Sequence, residues 1–260
     1  MQKRKILKMS KFKKPFLFAL YLLPIAIVAG IFVGYYQIET ASEDIIKQAI
    51  DQLGSVELLI VISAIQAVGY ALFCGFFGYI LAEKLGLMKS FSFAKKSIVL
   101  TLIISVASGI ILALDYWTFG NIVKEIQTAD SLGLSVNSFI TSILYGGIIE
   151  EIMLRLFFMS LIAFIVWKLF YKKYKKENIP TAVFVIANVV SAVVFAVGHL
   201  PATISLVGTL TPLLLLRCFL LNGGFGLVFG YLYRKFGLQY SIIAHATCHI
   251  VSKLIWIIFI

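Results

Sequence analysis

Charge is scarce in this chain. Only 13% of its 260 residues are Asp, Glu, Lys or Arg, while 61% are hydrophobic. Soluble domains carry about 25% charged residues, so the deficit excludes a soluble globular protein and points to an integral membrane protein. No polar block is long enough for a separate soluble domain, which leaves one membrane domain. Cysteine is scarce too. Cys74, Cys218 and Cys248 are odd in number, lie in separate apolar runs and form no CxxC pair. No disulfide framework is implied, and buried free thiols are expected. Histidine occurs only at positions 199, 245 and 249.

The charge that is present is unevenly placed. The formal net charge is +11, and the opening "MQKRKILKMSKFKKP" carries Lys3, Arg4, Lys5, Lys8, Lys11, Lys13 and Lys14 without an acid. Residues 1–14 read as a basic cytoplasmic tail facing anionic lipid. No nucleic-acid-binding fold follows the tail, so a nucleic-acid partner is excluded. The apolar run after it spans residues 15–36, beyond the roughly 7–15 residues of a signal-peptide core. It reads as a retained first span.

A helix crosses a bilayer with about 20 apolar residues. The candidates are 15–36, 58–82, 97–117, 137–171, 181–199, 203–220, 221–234 and 238–258. The expected fold is an all-α polytopic membrane bundle of about eight transmembrane helices. The fourth run is too long for a straight perpendicular crossing. The sixth and seventh are short and separated only by "RCFLLNGG", so they are either two short helices or one span with a re-entrant piece. Residues 37–57 hold five acids against one lysine and read as external, whereas Lys84, Lys89, Lys95, Lys96 and "WKLFYKKYKKEN" read as internal. Gly226 and Gly230 have the small-xxx-small spacing that lets helix backbones approach closely.

Against this background "GGIIEEIMLRLFF", residues 146–158, is anomalous. A charge at the bilayer centre costs roughly 2.5–3.5 kcal/mol on insertion scales, so such residues face a cavity or one another. Glu151 and Arg155 stand four apart and can pair on one helix face. Glu150 is turned away by one residue, which leaves one carboxylate held by arginine and a second free for chemistry. In "FAVGHL" His199 ends a helix, stopped by Pro201; in "HATCH" His245 and His249 stack on one face. Each feature alone has a structural explanation, such as an ion pair, an interfacial histidine, a helix contact or half of a zinc site. Together they point to one shared polar interior.

The constellation resembles the CAAX protease and bacteriocin-processing (CPBP or Abi) family, which includes the type II CAAX prenyl proteases. Its pattern is EExxxR, then FxxxH, then HxxxN. Here these are Glu150-Glu151-Ile-Met-Leu-Arg155, Phe195-Ala-Val-Gly-His199 and His245-Ala-Thr-Cys-His249. The resemblance covers about residues 137–255. It divides the chain into the tail, motif-free helices over 15–136 and a catalytic core over 137–260. One position departs: His249 stands where the family usually has asparagine.

The resemblance implies an intramembrane endopeptidase that cleaves a membrane-associated peptide or protein. Glu150 and His199 would activate a water, His245 and His249 would hydrogen-bond the oxyanion, and Glu151 with Arg155 would orient the site. No cofactor is favoured, with zinc the alternative, since two acids and three histidines could supply its ligands. A site that gathers all these residues near the outer face needs residue 238 outside, hence two crossings within 203–234. The charges of Arg234 and Lys235 argue for the opposite side. Other classes are a transporter, which usually has repeats in both halves, and a silent scaffold or bacteriocin-immunity-type binding protein. The expected location is a bacterial cell membrane with the amino terminus in the cytoplasm.

Overall fold

A computed structural model describes residues 2–260, with residues 2–11 and Leu206 described by backbone alone. The side chains of Lys3, Arg4, Lys5, Lys8 and Lys11 in the basic tail therefore lie outside the described residues. The described chain is helical, without a strand. We number its main helices α1 (Gln2–Thr40), α2 (Glu43–Leu53), α3 (Leu58–Leu85), α4 (Lys95–Ala113), α5 (Lys124–Leu132), α6 (Val136–Phe170), α7 (Thr181–Val207), α8 (Pro212–Phe236) and α9 (Leu238–Phe259). All but α2 and α5 are long and apolar enough to cross a membrane, which gives seven candidate spans.

The bundle is built with small residues inside and large apolar ones outside. The buried face of α3 is Ser63, Ala67, Ala71, Cys74, Gly75, Gly78 and Ala82, while Ile65, Phe73 and Phe77 point outward. This is the arrangement expected where lipid solvates the large side chains and helices associate by close backbone packing. At Gly30 and Gly34 of α1 an added Cβ would stand 2.5 Å from Ala64 Cα and 2.4 Å from Ile60 Cα. Only glycine permits α1 to lie that close to α3.

The acidic segment after α1 folds as α2. The Ser42 side chain accepts from the Ile45 N–H at its start, Glu43 and Asp44 complement the dipole of its first turn, and Gly54 closes it at φ 85°.

The region 203–234 differs from the two-span expectation. Helix α7 does not stop at His199: it continues through Pro201 to Val207 and ends on Gly208 at φ 78°. Prolines are tolerated in membrane helices because neighbouring groups re-satisfy the freed carbonyl. Helix α8 then begins where Thr211 accepts from the Leu214 N–H, with Pro212 in the first turn. It does not break at Gly223-Gly224. A π-helical segment, Phe219–Gly223, carries it onward as one span. The glycines serve packing: an added Cβ at Gly223 would lie 3.7 Å from Ala196 Cβ, and one at Gly226 3.1 Å from Ala192 Cα.

The single span also corrects the placement of residue 238. Lys89 Nζ bonds the Lys235 carbonyl, Gln239 Nε2 donates to Ser92 O at 3.3 Å, Arg234 Nη2 donates to Thr181 Oγ1 at 2.9 Å, and Lys176 Nζ donates to Glu83 O at 2.6 Å. The basic loops and the start of α9 thus share one end of the bundle. At the opposite end Ser135 Oγ donates to Glu39 Oε2 at 2.8 Å, and the Arg217 guanidinium grips Asp115. The charge bias of Arg234 and Lys235 points the right way. Residue 238 does not have to lie at the outer face for the site to form, because His245 lies two turns inside α9 and reaches the site from the basic end.

Candidate active site

The long helix α6 departs from α geometry where its charged residues lie. Segments Ser142–Glu150 and Ile152–Met159 are π-helical. Such i→i+5 turns are rare and frequently mark functional sites. They coincide with a close crossing of α9: an added Cβ at Gly147 would lie 2.8 Å from Ala246 Cβ, and one at Gly146 3.2 Å from His249 Nε2. The two glycines of the opening motif therefore let the histidine-bearing helix lie against α6. Ser160 Oγ and Tyr233 Oη, 2.9 Å apart, tie α6 to α8, and Ser191 Oγ donates to Leu154 O at 2.9 Å from α7.

Glu151 and Arg155 are buried, at 0% and 1% exposure. Such burial would be prohibitive for unpaired charges. Arg155 Nε lies 3.4 Å from Glu151 Oε2, an ion-pair distance without the alignment of a hydrogen bond. Arg155 Nη2 donates to Gly226 O at 3.4 Å, and its guanidinium carbon stands 4.8 Å from the Phe195 ring centre. Arg155 Nη1 has no hydrogen-bond partner. The other Glu151 oxygen, Oε1, accepts from His245 Nδ1 at 2.9 Å.

His245 stacks between Phe229 and His249, with ring centres 4.7 and 5.0 Å away. Its Nε2 lies 3.2 Å from His249 Nε2. His199 donates from Nδ1 to Phe195 O at 2.8 Å, and its ring meets the Phe195 ring edge-on at 4.6 Å. All three histidines line one small cavity together with Leu112, Phe195, Asn222, Phe225, Phe229 and Cys248. Its volume, ≈ 50 Å³, admits water but no peptide, since a water needs roughly 10–15 Å³ by this measure.

The structure thus brings together Glu151, Arg155, His199, His245 and His249 from helices α6, α7 and α9. Glu150 is placed apart. It is partly exposed, does not line the cavity and makes no hydrogen bond to a histidine among the described residues. Glu150, expected to act with His199 on a water, makes no hydrogen bond to it among the described residues in this conformation; Glu151 is the carboxylate that reaches a histidine.

Among the described residues no group of three or more His, Cys, Asp or Glu is arranged to hold a metal ion. Glu151 is engaged by His245 and Arg155, and the three protein ligands of a catalytic zinc site are not gathered among the described residues.

Three polar features inside the bundle escape the sequence reading. Arg217 pairs with Asp115, which is 2% exposed, across α8 and the end of α4. Lys253, one turn beyond His249, donates to Gly133 O and to Ser138 Oγ, the latter at 2.8 Å. Asn222 lines the cavity from the π-helical turn of α8. The signal that marks Arg155, a cation in an apolar run, is equally present in "LLLLRCF" and "VSKLIW".

Residues 133–251 match the family model for the type II CAAX prenyl endopeptidase Rce1-like proteins. No curated protein and no solved structure matches the chain.

Proposed function

We propose that this chain, whose residues 133–251 match the Rce1-like type II CAAX prenyl endopeptidase family model, is an intramembrane endopeptidase that hydrolyses a membrane-associated peptide without a metal. One observation carries the reading: the three histidines of the chain, drawn from two helices, share a cavity backed by a buried Glu–Arg pair. Ionisable groups in a membrane interior otherwise stay apart or pair off, because each is costly there.

His199 is the base. Its Nδ1 donates to a backbone carbonyl, so the neutral ring presents a bare Nε2 to the cavity. Nε2 takes a proton from water as the water oxygen attacks the scissile carbonyl carbon. The C–N bond then breaks, and the same proton passes from Nε2 to the leaving amine nitrogen. Glu151 holds His245 in one tautomer and orientation, and Arg155 fixes Glu151. The cavity is too small for a peptide, so substrate entry requires the helices to part. Glu150, at the margin of the site on α6, joins the reacting groups when they do.

The basic end of the bundle faces the cytoplasm by the positive-inside rule. The substrate is a peptide anchored in the lipid bilayer, of the CAAX class by family. The test is incubation of the purified chain, reconstituted in vesicles, with a farnesylated CAAX peptide and mass spectrometry of the products. Release of the last three residues is expected; an intact peptide after prolonged incubation would count against the proposal.

A further inference from the structure

The hydrogen-bond donors of the cavity can be counted. The Phe195 carbonyl can only accept, so His199 Nδ1 carries a proton and neutral Nε2 carries none. Glu151, ionised beside Arg155, accepts from His245 Nδ1, which leaves neutral His245 with a bare Nε2. That atom faces His249 Nε2 at 3.2 Å, and such a contact forms only if one of the two nitrogens donates to the other. The facing histidine nitrogens are therefore spent on each other and offer no proton to a reacting carbonyl.

Of the other cavity-lining side chains, Leu112, Phe195, Phe225 and Phe229 have no polar atom, and Cys248 has only a weak S–H donor. Arg155 is not among the lining residues. Asn222 remains. Its Nδ2 lies 3.5 Å from Cys218 Sγ, which occupies one of its two amide hydrogens. Cys218 Sγ is itself fixed, 3.0 Å from Ala196 O. The second Nδ2–H has no partner among the described residues, and Asn222 lines the cavity from the π-helical turn Phe219–Gly223.

We infer that Asn222 is a catalytic residue, the N–H donor that holds the carbonyl oxygen of the scissile bond as it becomes an oxyanion. This rests on the hydrolytic reading above. As water adds to the carbonyl carbon, the C=O π pair moves onto oxygen, and Asn222 Nδ2–H stabilises that charge opposite His199. When the C–N bond breaks, the pair returns to re-form the carbonyl of the new carboxyl end.

The test uses the full chain in lipid vesicles with an internally quenched farnesylated CAAX peptide. Asn222→Asp keeps the shape and removes the donor; Asn222→Ala is the second variant should the acid disturb folding, and melting curves place both rates on folded protein. A fall in kcat of roughly 10²–10³-fold with KM little changed is expected, the range for one oxyanion donor. The double variant Asn222→Ala with His249→Asn returns an amide to the same cavity from α9 and should recover turnover relative to Asn222→Ala alone. Wild-type kcat in both single variants, or a double variant no faster than Asn222→Ala, overturns the assignment while leaving the protease reading intact. Absence of turnover in the wild-type chain overturns the protease reading and this inference with it.

Discussion

Nδ1 of His245 lies 2.9 Å from Oε1 of Glu151, although ninety-four positions separate the two in the chain. The contact exists because Gly146 and Gly147 let α9 lie against α6. It decides the tautomer of His245, and through the facing Nε2 atoms it constrains His249 as well. One buried carboxylate thus sets the proton inventory of the site.

Removing Glu151 strands a buried guanidinium. Glu151→Leu should destabilise the protein by roughly 3–5 kcal/mol, and Arg155→Met by a similar amount. The double variant, which leaves no orphan charge, should cost less than the sum of the two. Denaturation in detergent across the double-mutant cycle measures this, and strictly additive losses would argue against a coupled pair.

Gly230 packs against Asn188 so closely that a Cβ there would stand 1.8 Å from Asn188 Oδ1. Asn188 is held in place by donating to Leu227 O at 2.9 Å. Gly230→Ala should therefore lower the melting temperature by several degrees, as overpacking costs about 1–3 kcal/mol. Adding Asn188→Ala opens the space and should restore part of the loss. A melting temperature for Gly230→Ala equal to wild type would contradict the close crossing of α7 and α8.

Much of the molecule was legible from sequence because a membrane makes polarity conspicuous. Glu150, Glu151, Arg155 and the three histidines stood out as the cost of burying them demands, and the basic and acidic loops marked the two ends. What was not legible is local geometry. Asn222 is neutral and carries no penalty large enough to flag it. Gly223-Gly224 looks like a chain break, yet the helix runs on through both residues. The stop expected at Pro201 does not occur. That Glu151, paired with Arg155 as its i,i+4 spacing allows, is also the carboxylate that meets His245 follows from the crossing of α6 and α9, which no local period in the sequence reveals.

His249→Asn should retain or raise turnover, because asparagine supplies an amide donor beside His245. If His245 and His249 instead ligated zinc, the same change would remove bound metal and activity together, asparagine being a poor zinc ligand. Metal analysis of the purified variant beside its kcat distinguishes the two. Joint loss would overturn the metal-independent mechanism.

Asp130 lies on α5, outside the spans. Burial, reinforced by the charge of Asp115 and opposed by Arg217 and Lys253, pushes its carboxyl up to about 7. An acid whose folded pKa lies above its unfolded value binds more protons in the folded state. Its stabilising contribution is complete below about pH 4 and is lost as pH rises to about 7. Asp130→Asn should melt at a higher temperature than wild type at pH 8 and show a smaller decline between pH 5 and pH 8. A steeper decline than wild type would contradict this assignment.

In the proposed mechanism His199, beside the Glu151–His245 pair, activates the water that cleaves the peptide. Its test is single-turnover cleavage of a farnesylated CAAX peptide by wild type, His199→Ala and Glu150→Gln, each reconstituted and shown to be folded. Wild type should cleave. His199→Ala should be slower by roughly 10²–10⁴-fold, the range for losing a general base, and Glu150→Gln should also be impaired. Cleavage by His199→Ala at the wild-type rate would contradict the claim outright.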